Sequence, residues 1–389
     1  MNKPGKLNIL ATIPSGFCFG LQHITVDFFS NFPPSIHSHF LLTKWGNGEM
    51  EALLKKKNIP YSFSWLGMFS RKMNWLNLKM SVHSLIKLPK LYFDFIRLQK
   101  KIKPNILYFA NHHELILLYP VLRLSKRKIV CHMHDPAPAI EFQKRTFRRY
   151  GKIVDRFIAI SDNVRERTIA LGCAPEKIET IHNGISLPTL QKQQQDIFVQ
   201  RASWPQDVFI IGITGQMTAT KGHEDLLEAF RIVYSKNSKV RLVIGGKPEE
   251  PFYGELKKRI SESGMDHLIL FSGWLPEVSV FFQNIHAFVL ATRHEEGYGL
   301  VIAEAMAHSL PVVITESGGA VEIVEEGKSG YIVPKANPAA MAEKLFQLSI
   351  DPVKCRDFGN SARARIALDF NIQTQTEKLV NCLFDIVAS

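Results

Sequence analysis

Short apolar runs alternate with longer stretches of helical periodicity along almost the whole chain. In the first half the runs Leu7–Ile13, Ser38–Leu42, Ile106–Phe109, Lys128–Cys131, Arg156–Ala159 and Lys177–Ile181 read as strands. In the second half Phe209–Ile213, Arg241–Ile244, Leu268–Phe271, Ala287–Leu290, Pro311–Ile314 and Gly330–Val333 do. A helical stretch follows most of them, which predicts parallel α/β units and two doubly wound, Rossmann-like sheets, one in each half. Between Leu187 and Asp207 the periodicity fails, and Gln191-Lys192-Gln193-Gln194-Gln195 and Trp204-Pro205 fall there. The pattern predicts a first domain over 1–190, a linker over 191–207, a second domain over 208–372 and a final helix over 373–389.

A chain of 389 residues is longer than one core usually organises, which agrees with two domains. Apolar content of 46% and charged content of 22% are ordinary for a globular protein. No apolar run reaches the roughly 18 residues that a membrane-spanning helix needs. Pro14-Ser15-Gly16 interrupts the first run, so the start reads as a buried strand rather than a signal peptide. The five cysteines are scattered, without a Cys-x-x-Cys pair or a His/Cys metal spacing, which predicts a reduced, cytoplasmic protein.

Charge changes the picture more. The net charge is +12, but residues 1–187 carry 28 Lys and Arg against 12 Asp and Glu, while residues 188–389 carry 20 against 24. A strongly basic half joined to a mildly acidic one predicts an anionic partner for the first. Between Arg71 and Lys103, nine basic residues oppose one acid, Asp94. Trp65, Met68, Phe69, Trp75, Leu85, Ile86 and Phe93 are among the apolar residues in and beside that stretch, and Lys144-Arg145-Thr146-Phe147-Arg148-Arg149 follows later. Such a mixture is expected of a surface resting on an anionic membrane, here the inner face of the cytoplasmic membrane, or on an anionic lipid-linked acceptor.

The chemistry is concentrated in Glu296-Gly297-Tyr298-Gly299-Leu300-Val301-Ile302-Ala303-Glu304. Two glycines around an aromatic allow a tight turn and close backbone approach to a ligand. A helix starting near Gly299 would aim free N–H groups at that turn, which suits a phosphate. Glu296 stands at the mouth of the turn, and Glu304 two helical turns further on. Glu295 is a competing acid without the eight-residue spacing. Earlier, Gly215-Gln216-Met217-Thr218-Ala219-Thr220-Lys221-Gly222 follows the first strand of the second half. It is not a Walker loop, because Thr220 precedes Lys221 and Gly222 follows it. His134 follows Ile129-Val130-Cys131-His132-Met133, at the carboxyl end of a predicted strand, with His132 two residues earlier.

These segments resemble the retaining glycosyltransferases of family four, which have the GT-B architecture of two Rossmann-like domains facing a cleft. The resemblance covers nearly the whole chain and is tightest from Ile210 to Pro334. It implies transfer of a sugar from a nucleoside-diphosphate sugar to a glycan or lipid-linked acceptor, in cell-surface polysaccharide, lipopolysaccharide or glycolipid synthesis. Glu296, His134 and Lys221 carry the catalytic expectation: Glu296 on the transferred sugar, Lys221 on the donor diphosphate, His134 from the first domain. Glu304 is expected on the ribose, with Gln216, Gly215, Gly297, Tyr298, Gly299 and Leu300 around the donor. Gly20, with Gly16, matches loosely a Gly-rich loop near the phosphates. Gln216 departs from the arginine common at its position, which moves the diphosphate's neutralisation toward Lys221 and backbone amides. No cofactor beyond the donor substrate is expected and, without an Asp-x-Asp motif, no metal.

Two other readings stay open. A sugar-nucleotide epimerase shares the GT-B architecture and ligands, but does not typically carry the Glu-Gly-aromatic-Gly pattern. A non-catalytic basic binding protein is compatible with the charge. No helix-turn-helix, zinc or RNA-binding motif accompanies that charge, so nucleic acid is not the expected partner.

Overall fold

A computed structural model describes residues 5–13, 18–43, 46–67, 75–135, 140–189, 197–275 and 277–389, with backbone alone for 76–78 and 80. Gly16, Met68, Phe69, Arg71 and Lys72 lie outside the described residues. The chain forms two compact units, residues 1–184 with 372–389, and residues 185–371.

The first unit is built on a seven-stranded parallel sheet. Its strands are β1 (Leu7–Ile13), β2 (Ile36–Leu42), β3 (Tyr61–Phe63), β4 (Ile106–Phe109), β5 (Lys128–Met133), β6 (Arg156–Ala159) and β7 (Ile178–Thr180). They lie in the order β3-β2-β1-β4-β5-β6-β7, so the winding direction reverses between β1 and β4. The second unit has six parallel strands: β8 (Phe209–Thr214), β9 (Val240–Gly245), β10 (Ile269–Gly273), β11 (Ala287–Leu290), β12 (Val312–Thr315) and β13 (Gly330–Val333). Their order is β10-β9-β8-β11-β12-β13, and the reversal falls between β8 and β11. Ligands of open parallel sheets bind beyond the carboxyl ends of the strands at such reversals.

Six strands were expected in the first half and seven are present. The added strand, β3, is a three-residue edge strand against β2, after Pro60, and none of its residues is fully buried. An edge strand that short leaves no apolar run to detect. The described part of the segment expected as a linker is also more ordered than expected. It holds a helix, Ile197–Ala202, whose Phe198 packs on Phe281, and Trp204 Nε1 donates to the His267 carbonyl.

The last helix, Ile372–Ala388, places Leu379, Leu383 and Ile386 in the core of the first unit with Ile9, Phe28 and Tyr108. Gly184 explains where that helix can start. A Cβ there would lie 2.5 Å from Ile372 Cα. Gly184 is thus a close-packing position.

Candidate active site

In the second unit, the loops leaving β8 and β11 meet at the reversal of the sheet. The β8 loop is anchored by buried Met217, whose N–H donates to the Lys247 carbonyl over 3.2 Å. It then makes a short 3-10 turn, Ala219–Lys221, and ends at Gly222, which caps helix His223–Lys236 in the left-handed region with φ +70°. Only glycine fits there, since a Cβ would lie 1.9 Å from the Ala291 carbonyl oxygen. This contact presses the two loops together.

Further bonds lock them. The Arg293 N–H donates to the Thr220 carbonyl over 2.8 Å. The Arg293 guanidinium makes two 2.7 Å bonds to Asp225, in the first turn of the following helix. A bidentate pair of this kind fixes direction as well as distance. Its effect is to bring Lys221 Nζ within 2.6 Å of Glu296 Oε1. His294 Nε2 approaches the same oxygen at 3.4 Å.

Glu296 is held from behind by the loop after β12. Its N–H donates to Ser317 Oγ over 3.0 Å, and its carbonyl accepts from the Gly319 N–H over 2.9 Å. Gly318, with φ +48°, makes room, since a Cβ would meet the Glu296 carbonyl oxygen at 2.2 Å. Adjacent Glu295 pairs with Lys335 instead. The two acids that sequence alone left side by side therefore have different partners.

Gly299, with φ +92°, caps helix Leu300–Ala307. On that helix Ile302, Ala303, Ala305, Met306 and Ala307 are buried, while Leu300, Val301 and Glu304 are half-buried and share one side. The Tyr298 ring is buried and packs edge-on toward Phe370 at 6.2 Å, and burial pushes its hydroxyl well above the usual tyrosine range. What Tyr298 presents to a ligand is its backbone. Gly215 and Gln216 are exposed at the start of the β8 loop. His223, next to Gly222, is buried, which holds its pKa down at about 4 and keeps it neutral.

His134 and Gly20 belong to the first unit. Gly20 opens helix Gly20–Ser30. His134 follows β5, is buried, and has its pKa lowered to about 3 by that burial. Its Nε2 has no hydrogen-bond partner among the described residues. His132, 4.2 Å away between ring centroids, is engaged through Nδ1 by the Tyr108 hydroxyl at 2.5 Å and is a core residue. Thr12 near the end of β1 and Thr43 after β2 add buried hydroxyls without described partners. Buried polar atoms with unmet bonds therefore gather at the carboxyl ends of this sheet, where a ligand would satisfy them.

The sequence reading missed His112 and Glu114, which follow β4, the other strand at the reversal. His112 is buried against the rings of His113 and Phe147, with its pKa near 3. Glu114 is buried with neither carboxylate oxygen partnered among the described residues, and burial pushes its pKa well above the usual range. The available signal was Asn111-His112-His113-Glu114 directly after a fully apolar strand.

Comparison with known proteins bears on the family and the fold. The family model described as glycosyl transferases group 1 matches residues 194–365, and that described as glycosyltransferase family 4 matches residues 76–188. The capsular polysaccharide biosynthesis glycosyltransferase CapM of Staphylococcus aureus is 30% identical over 227 residues, 57% of this chain and 59% of that protein. The putative colanic acid biosynthesis glycosyltransferase WcaL of Salmonella typhimurium is 29% identical over 67% of this chain and 61% of its own length. The chain thus matches about three fifths of the length of each of these two relatives. Among solved structures, Anabaena HepE in complex with UDP and glucose superposes with a TM-score of 0.79 at 20% identity, over 97% of this chain and 99% of that one. A glycosyltransferase from Rickettsia africae gives 0.81 at 19% identity, over 99% of each chain. The fold is GT-B.

Proposed function

Because the chain belongs to the glycosyl transferases of group 1 and family 4, we propose that it moves a sugar from a nucleoside-diphosphate sugar to a glycan or lipid-linked acceptor, with retention and without a metal, in the synthesis of a cell-surface polysaccharide. The observation that carries this reading is the Lys221–Glu296 pair at the reversal of the second sheet. Sugar transfer from such a donor expels a diphosphate. A fixed cation and helix N–H groups already aimed at the developing charge lower that barrier. Lys221 supplies the cation, and the turn Gly297-Tyr298-Gly299 with the helix it opens supplies the backbone donors. Glu296, buttressed by Ser317 and Gly319, holds hydroxyls of the departing sugar. Glu304, on the less buried side of its helix, accepts bonds from the ribose. Gly215 and Gln216 line the loop on the diphosphate side. Gly20 opens the first helix of the other unit near its own strand ends. His134 acts as a neutral imidazole, since its burial disfavours the charged form.

HepE is described with UDP, so uridine nucleotides are the first donors to try. The test is a thermal-shift panel of nucleoside diphosphates and nucleotide sugars, repeated on Glu304→Ala. A shift with one nucleotide that disappears in the variant supports the donor site. No shift with any nucleotide overturns it.

A further inference from the structure

Helix Trp75–Ile102 in the first unit has two apolar faces. Ser84, Leu91, Phe95 and Leu98 are buried. At about 100° per residue they fall on one side of the helix. On the opposite side Trp75, Val82, Leu85, Ile86, Phe93 and Ile96 fall within an arc of about 100°, the width of a core-facing stripe. All six are exposed: Trp75 by 79%, Ile86 by 67% and Phe93 by 64%. One helix face thus carries six of the exposed large apolar side chains among the described residues. Isolated exposed apolar residues need no explanation, but a continuous stripe along a long helix does.

The charges beside the stripe indicate what covers it. Lys79, Lys90 and Arg97 form an adjacent row, Lys87 and Lys101 lie beyond it, and Lys100 falls within the stripe itself; the one acid on the helix is Asp94, which pairs with Lys90. A second copy docked by this face would bring lysine rows toward each other. No described helix is long and apolar enough to cross a membrane. An apolar stripe bordered by cations is the pattern of a helix lying in a lipid interface, with aromatic and aliphatic side chains in the acyl boundary and ammonium groups at the headgroups.

From this arrangement we infer that the outer face of helix Trp75–Ile102 docks the protein on the surface of an anionic bilayer. Docking needs no nucleotide and no transfer step, so it stands or falls apart from the reaction proposed above.

The experiment is flotation of the full chain with phosphatidylglycerol-containing vesicles and with pure phosphatidylcholine vesicles. Three variants accompany it: Leu85→Ser with Ile86→Ser and Phe93→Ser; Lys79→Gln with Arg97→Gln and Lys100→Gln; and a control, Leu124→Ser with Leu368→Ser, exposed apolar residues elsewhere. Because every substituted side chain is exposed, thermal melting should be unchanged in all three. The expected result is recovery of the wild type and the control with anionic vesicles. The bound fraction should fall at least about tenfold in the apolar variant and several-fold in the charge variant. Failure of the wild type to float, flotation undiminished in the apolar variant, or equal flotation on neutral vesicles overturns the inference. So does self-association that the apolar variant abolishes without any vesicle binding, since a second copy would then cover the stripe.

Discussion

Lys221 Nζ lies 2.6 Å from Glu296 Oε1, and each side chain is largely shielded from solvent. A diphosphate arriving at Lys221 must compete with that carboxylate, so the two halves of the pair should respond in opposite directions. Lys221→Ala removes a charge-assisted contact worth about 1.5–3 kcal/mol, which lowers nucleoside-diphosphate affinity about ten- to a hundredfold. Glu296→Gln frees the lysine. It should leave nucleotide affinity equal or higher while cutting sugar transfer about a hundredfold or more, as loss of a transition-state contact does. Titration calorimetry with UDP on both variants separates the cases. Equal weakening in both would mean that the pair serves only as a clamp between loops.

Gln216 is exposed on the same loop as Lys221, five residues earlier. Gln216→Arg adds a cation on the side proposed for the diphosphate. An exposed charge contributes at most about 1 kcal/mol, so nucleotide affinity should rise about two- to fivefold. The gain should shrink in about 0.5 M salt, where screening acts within a few ångströms. A gain that survives high salt would point to a direct bidentate contact, and no gain at all would place the diphosphate away from this loop.

Gly222 and Gly264 both sit in the left-handed region, at φ +70° and +69°, but only Gly222 has a backbone oxygen where its Cβ would go. Gly264→Ala should therefore cost about 1 kcal/mol, the conformational term alone. Gly222→Ala must also push the Ala291 loop away and should cost on the order of 3 kcal/mol or more. Because that loop leads to Glu296, nucleotide affinity should fall with Gly222→Ala and not with Gly264→Ala. Urea denaturation and a UDP titration on the two variants check both halves.

Much of this was legible in the sequence because it depends on local patterns. Short runs rich in apolar residues marked twelve of the strands, and the spacing of Glu296, Gly297, Gly299 and Glu304 marked the turn and the helix it opens. What stayed hidden depends on contacts between distant residues. Nothing near Gly222 reveals that Ala291 will press against it. The spacing to Glu304 singled out Glu296 over Glu295, but nothing local shows that Lys335 will pair with one and Lys221 with the other. Glu114 was missed for a different reason. A glutamate at a helix start reads as a solvated, dipole-favoured residue, and only the packing of its helix on the sheet shows it buried.

The buried ionisable groups behind β4 and β5 give the first unit a pH dependence with two opposed parts. His112 and His134 have pKa values of about 3 when folded, against an ordinary 6.5. Below 6.5 the unfolded chain takes up protons that the folded one refuses. The stability that these rings contribute is therefore complete above pH 6.5 and is lost as pH falls toward 3, by about 1.4 kcal/mol per pH unit for each ring. Glu114 works the other way. Its folded carboxyl lies well above the ordinary 4.5, so its contribution is complete below pH 4.5 and is lost as pH rises, because the unfolded chain then ionises and the folded one does not. Glu114→Gln keeps the shape and removes the titration. It should raise the urea midpoint near pH 8 and leave it unchanged near pH 4, whereas His112→Asn should flatten the acid limb and leave pH 8 alone. A Glu114→Gln effect of the same size at both pH values would show that the carboxyl is not held neutral by burial.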